Sequence, residues 1–455
     1  MAFRVELFQK SKTLISDRLE LKQMIIKVSK RRNKLSGKTR KDIGEFLLEY
    51  SLLFLCVICT TSVWTRYGFL FSHIQYLKAL IPVVCILIIG KLIFLDRKVM
   101  LPIECLYYII FFALCIFSSL FSEYPDFITA VFLFAVIICF MLVAYLSSPV
   151  EMEVLWMRFV NIICIISLIS LFFYSFSSIL NVISPTGTVT YTWDWERKAL
   201  SYFDVYYAPT SQKSDTMFNG IQRNCGIFTE GTMFAFYLII AYMVETCYSM
   251  DRRYMKIILF VTLLTTFSTT GIFAIFIFEG IRLIGSNPQK RFLKICKILF
   301  VPVIVLSSLV ALIQLAVTKM VTGSYGVRYD HIVTCFQVFW DTFPIGLGYN
   351  GSDALKSSYY YSQGTSVGIP MLLAYGGLGG GLLLVVPIFL YFYYSLKTKN
   401  LENLAFGITF IWTFFFTNVV FNSVLPWMVV AIIFLKGSYE MRNTLAYKRG
   451  GIAMR

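Results

Sequence analysis

The sequence predicts an all-α polytopic membrane protein of about twelve transmembrane helices with two large external loops, and three observations carry that prediction. The 455-residue chain is 58% hydrophobic and 17% aromatic, with only 15% charged residues, too apolar for a water-facing surface. Apolar runs of helix length recur along most of it. Lysine and arginine collect in alternate connections, as the positive-inside bias requires.

Residues 1–45 read as a basic cytoplasmic tail. Within it, VELFQKSKTLISDRLELKQMIIKV at 5–28 mixes Leu, Ile and Phe with Lys and Arg. That pattern fits either an interfacial amphipathic helix or an ordinary tail. No apolar core of signal-peptide type precedes the first span, so no cleaved signal is expected. The transmembrane domain occupies 46–436. Its spans are read at 46–64, 76–95, 101–121, 127–147, 158–180, 226–247, 255–268, 270–284, 297–317, 369–396, 403–421 and 423–436. The pair within 255–284 and the last span are short, so they are expected to be tilted, broken or re-entrant. Residues 437–455 form a second basic cytoplasmic tail.

The formal net charge is +16, which in a soluble chain would suggest nucleic acid. Its distribution says otherwise. Most Lys and Arg fall in the N-terminal tail, 91–98, Arg158, 252–256, 282–297, 397–399 and 436–455, all on the cytoplasmic side of the twelve-span arrangement. The opposite side holds Arg66, Arg197, Lys198, Lys213, Arg223, Lys319, Arg328 and Lys356. The basic excess is therefore topological, with membrane lipids as partners and no nucleic acid. The 11 cysteines fall mostly inside spans without C-x-x-C spacing and read as small apolar residues.

Two connections are long, 181–225 and 318–368, and both are external in this arrangement. Long loops in a compact protein usually carry function. The first holds Tyr191, Trp193, Trp195, Tyr202, Phe203, Tyr206 and Tyr207; the second holds Tyr325, Tyr329, Phe339, Trp340, Phe343 and Tyr349. Such aromatics suit either the apolar face of a pyranose or a belt at the lipid interface. Segment 328–343 (RYDHIVTCFQVFWDTF) has the spacing of an amphipathic helix lying along the outer face. FPIGLGYNGS after it is rich in turn residues. Arg328 and His331 are three apart at the start of that helix, so both can point into one site.

RNCGIFTEG at 223–231 puts an arginine and a glutamate at the lip of the sixth span, where charge is expensive. Placed on one helix, Arg223 and Glu230 would share a face two turns apart. A guanidinium there can pair bidentately with phosphate. Glu230 is either a general base with a raised pKa or, as we favour, the partner that orients Arg223. His331 is either a base or a structural histidine. Arg197, Lys198 and Lys356 are weaker candidates, since loop charges are usually solvated. There is no H-E-x-x-H, no G-x-S-x-G elbow and no Walker loop. The scattered external acids lack metal-ligand spacing, so no metal and no cofactor are inferred. GGLGGG at 376–381 sits in an apolar run and reads as close helix packing or a kink.

The order of these features resembles the bacterial O-antigen and capsular polysaccharide polymerase family (Wzy-type), which is related to the O-antigen ligases. Arg223-x-x-Gly226-Ile-Phe-x-Glu230 leads into a span, and FSTTGIFAIFIF follows at 267–278. Arg328 with WDTFPIGLGYNG comes next, then IPMLLAYGGLGG at 369–380. Two places depart from the ligases. Thr269-Thr270-Gly271 stands where they have Ser-Arg-Gly, and Gln363, Thr365 and Ser366 stand where they carry a functional His. Both departures point toward polymerase.

The resemblance implies a lipid-substrate glycosyltransferase bundle (GT-C-like) in the bacterial cytoplasmic (inner) membrane. Both termini would be cytoplasmic and the active site would face outward. Its substrate would be an undecaprenyl-diphosphate-linked glycan, its partner a chain-length regulator protein, and its chemistry metal-independent. Arg223 and Arg328 would hold the diphosphates and Glu230 or His331 would act as base or orienter. Trp193, Trp195, Tyr325, Trp340 and Tyr349, with Arg197, Lys198 and Lys356, would bind the glycan. A ligase is the nearest alternative. A flippase would place ionisable groups at midplane and build paired repeats, and Glu104, Glu245 and Glu279 instead lie toward cytoplasmic ends.

Overall fold

The computed structural model describes residues 41–59, 62–67, 74–93, 109–110, 113–114, 116–117, 119–193, 195–210, 216–217, 221–248, 252–285, 323–351, 355, 367–417 and 424–450. In chain order the described α-helices are α1 (Lys41–Ile58), α2 (Ile74–Ile93), α3 (Phe127–Leu146), α4 (Pro149–Phe173), α5 (Gly231–Cys247), α6 (Arg253–Thr265), α7 (Thr269–Gly285), α8 (Gly323–Asp341), α9 (Ile369–Thr398), α10 (Leu401–Phe415), α11 (Leu425–Val429) and α12 (Gly437–Gly450). Strands β1 (Gly187–Trp193), β2 (Trp195–Tyr202), β3 (Tyr206–Pro209), β4 (Thr216–Met217) and β5 (Ile221–Gln222) lie between α4 and α5. The chain divides into two units, Met1–Glu49 and Tyr50–Arg455. The second contains every one of these elements except the first half of α1.

Among the described residues, three helices are long and apolar enough to cross a membrane: Tyr76–Ile93, Val150–Ile179 and Ile369–Thr398. Shorter apolar helices cover Phe46–Ile58, Ala135–Leu146, Gly231–Cys247 and Leu401–Phe415. The expected span 297–317 lies outside the described residues, as does most of 101–121.

Local chemistry sets several of these ends. Ser148 and Glu151 form a reciprocal capping box ahead of Pro149, which starts α4 sharply. Asp126 caps α3 by accepting from the Thr129 N–H at 3.0 Å. At the other end of α3, the buried Lys436 donates to the Ala144 carbonyl at 2.6 Å and the Ser147 carbonyl at 2.7 Å. The α5–α6 turn is held by Glu245, wholly buried, against Arg252 at 2.6 Å, and Arg252 also donates to Asn161 at 2.7 Å. The spans read at 255–268 and 270–284 fall on two separate helices. α6 ends at Thr265, Phe267 turns with φ 47°, and α7 starts at Thr269.

The expectation of an all-α chain fails in the 181–225 loop. β1, β2 and β3 form an antiparallel sheet in that order, and β4 pairs with β5. The reason is period-two patterning in GTVTYTW and WERKALSY, rich in β-branched and aromatic residues. Val189, Tyr191, Arg197 and Ala199 face inward and are buried, while Thr188, Thr190, Glu196 and Lys198 are exposed.

α9 is discontinuous. Gly377 adopts φ 56° and ψ −149° inside it, a conformation open to glycine and costly for other residues. The loop of the GLGYN stretch fills the gap. Leu347 N–H donates to Ala374 O at 2.9 Å, Gly348 N–H to Tyr375 O at 3.0 Å, and Leu378 N–H to Pro344 O at 2.9 Å. A Cβ on Gly377 would lie 2.4 Å from the Ile345 and Pro344 backbone. Of the two readings of GGLGGG, a kink therefore describes Gly377, with the freed backbone groups satisfied by protein.

Candidate functional site

The eight residues 223–230 of RNCGIFTEG pass between elements as a segment outside any helix, and the ninth, Gly231, starts α5. Asn224 N–H donates to Thr265 O at 3.0 Å, and its amide Nδ2 donates to Thr265 Oγ1 at 2.9 Å. Its Oδ1 accepts from the Ser170 hydroxyl of α4 and from Gly226 N–H. Tyr207 N–H of β3 donates to Gly226 O at 3.0 Å, and Val63 N–H to Ile227 O at 2.8 Å. The Tyr191 hydroxyl of β1 donates to Thr229 O at 3.1 Å. Gly226 makes the turn with φ +57°. Phe228 stacks on Phe234 and Tyr237 of α5 at 5.2 and 4.8 Å. With partners on this many elements the segment has one path, and Asn224 through Thr229 are buried along it.

α5 consequently begins at Gly231 and not at 226, with Glu230 extended as its N-cap (φ −147°, ψ 150°). The expected Arg223–Glu230 pair does not form. Glu230 Oε1 accepts from Arg197 Nη1 at 2.6 Å, and Oε2 from the Thr232 hydroxyl at 3.1 Å. The reason is the pleat: Arg197 sits on the inward face of β2, opposite Tyr191 in register, and that face covers the start of α5. The Arg197 side chain is only 10% exposed and that of Glu230 30%. Lys198, its neighbour, opposes Thr190 on the outer face and is exposed.

Arg223 is left facing the same helix start. Its Cβ is 3.6 Å from where a Gly231 Cβ would stand, and that Cβ would meet Thr266 O at 2.9 Å. Gly231 thus lets α5, the α6–α7 break and Arg223 converge. Arg223 Nε is buried without a hydrogen-bond partner, and its guanidinium makes no ion pair among the described residues. Met233 and Phe234 N–H both turn to Glu230 O, and no side chain caps the helix. The positive end of α5 and an uncompensated guanidinium therefore share one place, which favours an anion. Around it, burial pushes the Tyr206 and Tyr207 phenols well above their ordinary range, with Asp204 adding to the effect on Tyr207. Tyr207 stays a neutral donor, to Asp204 O at 3.2 Å.

The second group of expected residues lies on and after α8. His331 is buried on the side of α8 that carries Cys335 and Val338, which pack with Leu347, Met371 and Tyr375. Tyr349 is half-buried against the same cluster. Trp340 is exposed and stacks at a tilt with Phe343, 6.0 Å away. Arg328 and Tyr325 are placed on α8 by backbone alone. Trp193 and Trp195 are a cross-strand pair at the end of β1 and β2. Lys356 lies outside the described residues.

Sequence reasoning missed Asn224. Its role depends on Ser170 and Thr265, distant in sequence, and an asparagine between a charge and a cysteine carries no local signal for it. No family model, curated protein or solved structure matches the chain, so the site is argued from its own geometry.

Proposed function

We propose that the protein polymerises undecaprenyl-diphosphate-linked oligosaccharide repeat units at the outer face of a bacterial cytoplasmic membrane. The reading rests on the resemblance at 223–231, 267–278, 328–351 and 369–380. The observation that carries it is the half-buried Arg223, unpaired among the described residues, beside the uncapped start of α5. A lipid diphosphate is the anion suited to that place. Arg223 would bind it in a bidentate fashion and stabilise the charge that develops as the sugar–phosphate bond breaks. Arg197 and Glu230 act as a positioning pair that fixes the sheet over α5; with both Glu230 oxygens engaged, its role as a base recedes. The acceptor hydroxyl then needs mainly orientation against the anomeric carbon. In this reading both long loops and the site lie outside, both termini are cytoplasmic, and a chain-length regulator is a natural partner.

The test is a chromosomal Arg223→Ala and Arg223→Lys pair, with surface polysaccharide resolved by gel and protein level checked in membranes. The expected result is single-repeat caps without a ladder in both variants, because an ammonium cannot reproduce a bidentate contact. A full ladder in Arg223→Ala would overturn the assignment. Free lipid-linked polymer on deletion of the gene would move the function to a ligase, and intracellular lipid-linked repeats would move it to a flippase.

A further inference from the structure

α8 has three faces. At about 100° per residue, Tyr329, Val333, Phe336 and Trp340 fall within about 60° of one another, and all four are exposed. His331, Cys335, Val338 and Phe339, within an arc of about 100° on another side, are buried. Asp330, Gln337 and Asp341 share an arc of about 40° on the third side and are exposed. A helix in water with one packed face needs one polar face and no more. A separate exposed apolar stripe, made of Tyr, Val, Phe and Trp, asks for a third medium.

The fold says which medium. Phe343, also exposed, continues the stripe past the end of α8, and the next residue, Pro344, accepts the Leu378 N–H of α9 at 2.9 Å. Leu378 is itself exposed and begins a row on α9 that runs through Val385, Phe389 and Leu396, from 41 to 65% exposed. α9 is apolar and long enough to cross a membrane, and in a span this exposed row is the side that would face lipid. The exposed apolar side of α8 therefore runs, through Phe343 and Pro344, to the exposed row of α9 at its kink.

We propose that α8 lies in the membrane–water interface, with the bilayer as the occupant of its Tyr329–Trp340 stripe. The buried face holds the protein, the Asp330–Asp341 arc faces water, and Trp340 with Phe343 sits at the boundary where amphipathic rings are favoured. The inference rests on α9 crossing the membrane and not on any catalytic assignment. It reassigns Trp340 from a glycan contact to a lipid anchor, and it makes α8 a float that sets the height of the loop following it.

The test places single nitroxide labels in the full chain, reconstituted in phosphatidylglycerol-containing nanodiscs, through Phe336→Cys, Trp340→Cys, Asp330→Cys, Asp341→Cys and Phe389→Cys. The native chain gives the labelling background; its described cysteines are buried apart from the partly exposed Cys247. Collision with oxygen over a water-soluble nickel chelate should dominate at 336 and 340, as at 389, and reverse at 330 and 341. Nickel access at 336 and 340 with oxygen preferred at 389 would overturn the inference and leave the membrane span standing. Low access to both reagents at 336 and 340 would mean that protein covers the stripe, which also overturns it. Nickel access at 389 would refute the span itself, and the inference with it. Should the cysteine variants fail to reconstitute, quenching by bromolipids decides: Trp340→Phe should remove part of the quenching by shallow-brominated lipid, and unchanged quenching would overturn the inference.

Discussion

Glu230→Ala and Arg197→Ala should differ in cost, and the difference follows from burial. The pair is 2.6 Å apart with the arginine 10% and the glutamate 30% exposed. An exposed ion pair is worth about 0.2–1 kcal/mol, whereas removing one partner of a fully buried pair costs about 3–5 kcal/mol. This pair falls between. Glu230→Ala takes the carboxylate at 2.6 Å from a guanidinium that has little water and a sheet above it, so a loss of roughly 2–3 kcal/mol is expected. Arg197→Ala strands a carboxylate that still has Thr232, some solvent and the positive end of α5. It should cost roughly half as much. The double variant should cost less than the sum, leaving a coupling of about 1–2 kcal/mol. Thermal unfolding of the four proteins in nanodiscs closes the cycle. Additivity within about 0.5 kcal/mol, or a larger loss from Arg197→Ala than from Glu230→Ala, would refute the reasoning.

Glu245→Ala should destabilise more than either, by about 3–5 kcal/mol, because Glu245 is wholly buried and, among the described residues, Arg252 would keep only the Asn161 side chain. Glu245→Gln should lose less, and equal melting of the alanine variant and the parent would contradict the pairing. Gly377→Ala should cost at least the roughly 1–3 kcal/mol of a strained backbone, since its Cβ meets backbone atoms at 2.4 Å. Gly380→Ala is the control, with its nearest contact at 3.2 Å, and should melt close to the parent; comparable losses at the two positions would refute the kink argument.

Hydropathy made the long helices readable. The run at 76–95 and the helix Ile74–Ile93 nearly coincide, as do 369–396 and Ile369–Thr398, because a long apolar run has few other solutions. The start of α5 was not readable. Gly226 and Asn224 are held by β3, α4 and the end of α6, and no window of local sequence contains those partners. The same holds for Glu230: spacing offered Arg223 as its neighbour, while the true partner arrives from a strand more than thirty residues upstream. That strand did carry a local sign, the Thr-Val-Thr-Tyr-Thr alternation of its hairpin, which the membrane-like composition around it outweighed. The 328–343 spacing predicts a helix and α8 is one, but one apolar class cannot separate its buried face from its exposed one.

The gap in α9 has a consequence for how the chain is made. Carbonyls of Ala374 and Tyr375 left buried and unpaired would each cost about 1–3 kcal/mol. The backbone groups that close them, at 344–348, precede them in the chain. The plug is synthesised before the hole. A circular permutation that reversed that order would ask α9 to form with its gap unfilled, and such a chain should fold in lower yield although every contact of the finished protein remained available to it.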